Sequence, residues 1–339
     1  MKTTVVGSFP VPSWLMSHPS PETLEDALHL VLRLQEEAGI DVICDGELNR
    51  WDAASGKPVG MVERFTREMG GIDSVLNREQ LAAYRSRGEM AYRRSPAGIV
   101  NGPVDEGTLD LAGELEKVTS LTSCPVKLTV TSPYMMARAL ADTHYGSLEA
   151  VAMALADVLA AQLNGMRAAA SAAAVQVDEP NLPGNPDHGP IAAESINRVL
   201  ESIEGTCEKA VHLCFGNYGG QRIQEGDYSR LIAFMSSLHC DHLILETTRR
   251  PDQELDSLCG LPEHLRFGWG VIDVKDLHVE TPDIVARRIE DAARRVGESR
   301  LAYVNPDCGL RMLPRDVALG KLKALKAGRD LFTGDSSPD

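Results

Sequence analysis

The chain has 339 residues, 43% of them hydrophobic and 24% charged, which suits a globular protein and excludes disordered, collagen-like and coiled-coil classes. Lys and Arg number 34 against 49 Asp and Glu, a formal net charge of −15 that repels phosphate backbones and anionic lipid, so neither nucleic acid nor membrane is expected as a partner. No apolar run reaches the roughly 18–20 residues of a spanning helix, and MKTTVVGSFP lacks the apolar stretch of a signal peptide, so a cytoplasmic protein is expected.

In chain order, a β-branched run at 3–6 predicts a first strand. A helical pattern at 21–38, opened by Pro and acids, leads to a second strand at 41–44. About eighty residues (50–125) then separate it from the third strand at 126–130, far beyond a usual strand-to-helix connection. This predicts an inserted subdomain at one end of the fold. Its basic patches, Tyr84 to Arg87 and Tyr92 to Arg94, read as solvated helix faces. An Ala-rich helix over 148–174 precedes the fourth strand at 174–177. Strands follow at 210–213, 242–245, 265–268 and 301–304, with helices at 282–296 and 315–330 and a frayed tail at 334–339. Short, wholly apolar strands alternating with helices suit a parallel sheet buried on both faces. Eight of them predict a single (β/α)8 TIM barrel over 1–333 rather than an open sheet, and no GxGxxG follows the first strand.

In such a barrel the chemistry sits where the strands end. The residues there are Gly7 and Ser8, Asp45 to Glu47, Asp178 and Glu179, His212 and Cys214, Glu246, Asp273 to Lys275, and Asp307 to Gly309. His212 and Cys214 are two apart, so on a strand they share a face. Cys308 and Glu246 arrive from other strand ends and can reach the same point. One imidazole, two thiolates and a carboxylate suit Zn²⁺. The seven cysteines are scattered and hold no CxxC, so a metal site has to be assembled from distant segments.

The segments VVGSFP, CDGELNR, QVDEP, HLCFGNYGG, LETTRRPDQEL, GVIDVK and NPDCGL stand in the order and near the spacing of the catalytic half of cobalamin-independent methionine synthase. The chain resembles the single-domain members of that family and, beside them, the epoxyalkane:coenzyme M transferases. The resemblance runs from about residue 3 to 331. It implies a barrel with a catalytic zinc held by His212, Cys214, Glu246 and Cys308, and transfer of a methyl group from a small donor to the sulfur of homocysteine through a zinc-bound thiolate. A carboxylate is the poorest of the four donors against a sulfur competitor, so Glu246 is expected to yield when the thiol arrives. Ser8, Glu47 and Asp178 take the positions that hold the amino-acid end of homocysteine. The readings left beside this one are epoxide opening by coenzyme M and a barrel whose zinc is not catalytic.

The chain departs from the family in three places. It has the length of one barrel, where the full-length synthase carries a second that helps hold folate. Tyr134-Met135-Met136 stands where the family places a folate-contacting Trp. Lys275, in IDVK, stands where the family has its proton-donating His, with Asp273 beside it as a second candidate catalytic residue. Lys275 is expected either to act as a general acid or to neutralise Asp273 or Asp276. The methyl donor is therefore left open, a methylcorrinoid protein among the choices.

Overall fold

Every apolar run read from the sequence becomes a stave of one closed parallel barrel. The computed structural model describes residues 1–52, 57–86, 93, 95–166, 172–217 and 224–335. The staves are β1 (Lys2–Thr3), β2 (42–43), β3 (Lys127–Thr131), β4 (Ala174–Glu179), β5 (Glu208–Leu213), β6 (His242–Leu245), β7 (Arg266–Ile272) and β8 (Leu301–Pro306). β1 pairs with β8, and successive strands pair in parallel from β3 round to β8. β2 closes the ring through single bridges, Val42 to Thr4 and Ile43 to Val126. The strands are rich in apolar residues because both faces are covered: all four residues of β6 and all six of β4, Gln176, Asp178 and Glu179 among them, are buried.

The outer helices carry their own start signals. Ser20 and Thr23 form a reciprocal cap for α1 (Pro21–Glu37), which turns Ala27, Leu28, Val31 and Leu32 inward. Thr281 caps α2 (Pro282–Val296), whose last turn holds Arg294 and Arg295 as the helix dipole favours. α3 (Arg315–Thr333) stops at Gly334, whose φ of 75° lies in the left-handed region. The Ala-rich helix is shorter than its composition predicts. It runs Leu148–Gly165, and Ala174 instead opens β4, paired with Lys127 and Glu208. Sheet register overrides alanine's helix preference there.

The long connection between β2 and β3 contains the helices Glu63–Thr66, Arg78–Ser86 and Leu111–Ser120. It also contributes the strands Gly70–Asp73 and Ile99–Asp105 to a small sheet, whose third strand, Ala141–Asp142, lies beyond β3. Of the basic patches, Tyr84 is buried and Arg93 pairs with Glu63. Arg87, Tyr92 and Arg94 lie outside the described residues, as do 336–339 of the tail. No helix among the described residues is long and apolar enough to cross a membrane.

β2 is too short to hold its own edge, and a side chain completes it. Gln35, buried on α1, donates from Nε2 to the Cys44 carbonyl at 2.7 Å and accepts the Cys44 N–H on Oε1 at 3.1 Å. The amide does for Cys44 what a neighbouring strand does for other residues. Gln35→Leu fills the same volume but leaves both backbone groups buried without these bonds. Its unfolding free energy should fall by about 2–4 kcal/mol, read as a lower urea midpoint at unchanged slope; a shift within about 0.5 kcal/mol, the scale of a surface change, would contradict this role.

Candidate functional site

At the C-terminal end of the barrel, β5 delivers His212 and, one residue past its end, Cys214. The segment after β8 delivers Cys308. Their ligating atoms all lie within 4.8 Å of one another, with His212 and Cys214 buried and Cys308 half-buried. The two sulfurs are 3.9 Å apart. His212 commits Nδ1 to the Ile244 carbonyl of β6 at 3.0 Å, and its buried Nε2 has no hydrogen-bond partner among the described residues. Cys214 and Cys308 face each other as hydrogen-bond partners. The Cys214 thiol donating to it holds Cys308 well below the ordinary thiol range, and the same contact together with burial pushes Cys214 up. An orphaned imidazole nitrogen facing two cysteine sulfurs is a donor set that fits a soft divalent cation. All seven cysteines are free thiols.

Glu246, past the end of β6, stands next to this cluster rather than within it. Its Oε1 pairs with Lys275 Nζ, and its Oε2 accepts the Phe215 N–H at 3.2 Å. The side chain of Lys275 thus goes to Glu246 and not to Asp273 or Asp276. Asp273 accepts the Lys275 N–H at 2.8 Å and the Arg249 Nε at 2.7 Å.

The three residues expected to hold the far end of a substrate come from the ends of β1, β2 and β4, with Asp178 next to His212 in the sheet register. Gly46 and Glu47 are both left-handed (φ 68° and 55°), a turn that brings the Glu47 carboxylate back over the barrel. There Oε1 accepts from the Thr129 hydroxyl at 3.2 Å. Gly7 makes room for it, since a Cβ at that residue would lie 2.4 Å from Oε1. Arg50 reaches Glu47 Oε2 at 2.5 Å and Asp178 Oδ2 at 3.7 Å, tying the two acids together. Asp178 also accepts from Gln176 Nε2 at 2.6 Å, and Gln176 accepts from the buried Lys127 at 2.7 Å. The Ser8 hydroxyl sits where a side chain on Gly309 would fall, one residue from Cys308.

Sequence reading missed the residues that fix these parts. Arg50 lies inside CDGELNR but was given no partner. Tyr228 ties β5 to β6 by donating towards the Leu213 and Glu246 carbonyls, each at 3.1 Å, and accepting the Glu246 N–H at 3.1 Å. Asp307 accepts the N–H groups of Thr247 and Thr248 at 2.9 and 3.2 Å, joining the Cys308 segment to the Glu246 segment. No local pattern marks Tyr228. Asp307 carries a signal, an acid beside a candidate ligand. Tyr134 is fully buried and its hydroxyl lies 2.9 Å from His188 Nδ1.

A sequence profile of the family described as "Cobalamin-independent synthase, Catalytic domain" matches residues 1–328. The chain is similar to the methionine synthase of Thermococcus kodakarensis, 29% identical over 343 residues covering 98% of this chain and 93% of that one. It is also similar to that of Pyrococcus horikoshii, 28% identical over 334 residues covering 95% and 90%. Among solved structures it resembles a B12-independent methionine synthase from a Shewanella species, in complex with selenomethionine, at a TM-score of 0.79 and 26% identity over 98% of both chains.

Burial leaves its mark on the acids around this end of the barrel. It pushes Glu47 up to about 7, with Arg50 opposing and Asp178 adding to the rise. Glu179, outside the cluster and capped by Ser132, Asn181 and Leu182, is likewise pushed up to about 7. An acid whose pKa is higher folded than unfolded keeps its proton only in the native state over that interval, so stability falls as pH rises through it. For Glu179 the interval runs from 4.5 to about 7. The urea midpoint should therefore drop between these limits and level off above, and Glu179→Gln should show a smaller drop. A variant whose midpoint falls as steeply as the parent's would refute this assignment.

Proposed function

The chain belongs to the family of the cobalamin-independent synthase catalytic domain, and from that premise we propose that it makes methionine by moving a methyl group from a small donor onto the sulfur of homocysteine, with zinc as its cofactor. The observation that carries the metal part is the buried, unpartnered Nε2 of His212 facing Cys214 and Cys308. These three residues, with Glu246 beside them as the fourth donor, would hold the ion, and the softness of two sulfurs favours zinc over harder cations. When bound, zinc supplies a cation against which a thiol sheds its proton at neutral pH, leaving an electron-rich sulfur.

The remaining work falls to the chain's own groups. Glu47 and Asp178 present two carboxyl groups to the substrate's ammonium. Their pKa values are raised chiefly by burial, so an arriving cation supplies the counter-charge that favours their ionised forms. Arg50 between them fixes both carboxylates in place before substrate enters. Ser8, beside Gly309, offers its hydroxyl to the substrate carboxylate next to the Cys308 segment. The thiol end then lies towards His212, Cys214 and Cys308, and the amino-acid end towards β1, β2 and β4. The sulfur forms the new bond to the methyl carbon, and the donor leaves with the electron pair of the bond that breaks. The chain carries a buried Tyr134 where the resemblance places a folate-contacting Trp, and the donor stays open. Its free thiols fit action in the reducing cytoplasm.

The test is X-ray absorption of zinc-loaded protein. Two sulfur ligands should rise to three when homocysteine is added. Cys308→Ser should weaken zinc binding by at least roughly 10–100-fold and abolish methionine formation. A third sulfur contributed by coenzyme M but not by homocysteine would overturn the acceptor. A zinc-free active enzyme would overturn the metal.

A further inference from the structure

The amino-acid end of the site stands on a turn that the chain adopts against its own preference. Glu47 is the only non-glycine residue with a positive φ among the described residues, at φ 55° and ψ 35°. Such a conformation persists only where the surroundings enforce it. From the barrel side, the Glu47 N–H goes to Asp45 Oδ1 at 2.9 Å, and the Gly46 carbonyl accepts the Phe9 N–H at 2.9 Å. The Glu47 carbonyl accepts the Arg50 N–H at 3.0 Å, closing a short helical turn over Leu48–Arg50.

The rest of the hold comes from the insertion. Glu114, on the helix Leu111–Ser120, is a bridge: Oε2 accepts from Asn49 Nδ2 at 3.1 Å, and Oε1 pairs with Arg64. Arg64, on the helix Glu63–Thr66, is buried and also pairs with Glu68 at 3.0 Å. The Arg50 carbonyl accepts the Val59 N–H at 2.7 Å, and Trp51 pairs with Pro58. The insertion is in turn pinned to the barrel by the Thr131 hydroxyl of β3, which donates to the Met61 carbonyl at 2.9 Å. Asn49 and Arg50 are therefore gripped from outside by the insertion, while Arg50 grips Glu47 and Asp178 on the inside.

We propose that Glu114 is a positioning residue: through Asn49 it locks the turn that carries Glu47 and Arg50, and so sets how tightly the barrel grips the ammonium group of an amino-acid acceptor. This rests on the homocysteine reading above and goes beyond it by giving the insertion a task. The physical reason is the cost of a left-handed residue that is not glycine. Released from Asn49, the turn gains conformers in which Glu47 relaxes to negative φ and its carboxylate leaves Thr129 and Arg50. Affinity then falls with the fraction of molecules that keep the binding conformer. A ligand without an amino group makes no use of Glu47, so the effect is confined to ligands that carry one.

The experiment is calorimetric titration of the full zinc-loaded chain with two probes, L-methionine and 4-(methylthio)butanoate, which is methionine without its amino group. The parent should bind L-methionine more tightly. Asn49→Ala and Glu114→Ala should each weaken L-methionine binding by about tenfold, the scale of one hydrogen bond to a charged group. Binding of the amino-free probe should stay within about twofold of the parent. The double variant should be no weaker than either single one, and Glu114→Gln, which keeps an oxygen for Asn49, should behave as the parent. Equal losses for both probes would reduce Glu114 to a structural prop and overturn the proposal, as would losses that add in the double variant. If Glu114→Ala does not fold, Asn49→Ala makes the test by itself, since Asn49 is only half-buried. A parent that prefers L-methionine, with variants that match it on both probes, sinks this proposal alone; a parent that binds the two probes equally, or neither, sinks the homocysteine reading with it.

Discussion

A buried imidazole with one nitrogen committed to a backbone carbonyl sets the terms for the whole mouth of this barrel. Because His212 gives Nδ1 to Ile244, its ring cannot swing, and Nε2 is aimed at the two cysteines. The carbonyl belongs to β6, so pairing of β5 with β6 fixes the ring as firmly as the side chain's own torsions do. An Nε2 left bare in a dry interior is costly. A soft cation held by the three donors would offset that cost.

The same interior that makes a metal site tight makes the neighbouring acids hard to ionise. Burial drives Glu47 and Asp307 upward, each to about 7. Each is then steadied by a different device: an arginine for Glu47, and a pair of backbone N–H groups with the Thr248 hydroxyl for Asp307. Where Lys127 enters from below, burial pulls its ammonium down to about 8. Burial and like-charge neighbours thus bring several of these groups towards neutrality, a condition suited to receiving a zwitterion.

How much of this could be read from the residues follows from what kind of pattern each part leaves. The staves were visible because a strand buried on both faces is rich in apolar residues, and their number fixed the barrel. His212 and Cys214 were visible because spacing of two on a strand is a local signature, and Cys308 because strand ends in a closed barrel converge. Residue type and strand end mark Glu246 as a fourth donor. Its pairing with Lys275 depends on two side-chain directions across neighbouring loops, which no spacing rule reports. Arg50 lay hidden for the same reason: its two partners are 3 residues away and on another stave. The Ala-rich stretch misled at its end because composition favours helix where the sheet required a strand.

The way the second stave is held has a mechanical consequence. Every other wall segment from β3 round to β1 is stitched to its neighbours by backbone ladders, whereas 42–43 touches each side by a single bridge and leans on an amide from α1. A ring of staves parts at its loosest one. Amide protons should exchange there before they exchange elsewhere in the wall, and a permuted chain with its new ends at this seam would lose the least sheet. The large insertion follows that seam but is anchored past it, through the pairing of Ile99 and Val100 with Ala141 and Asp142.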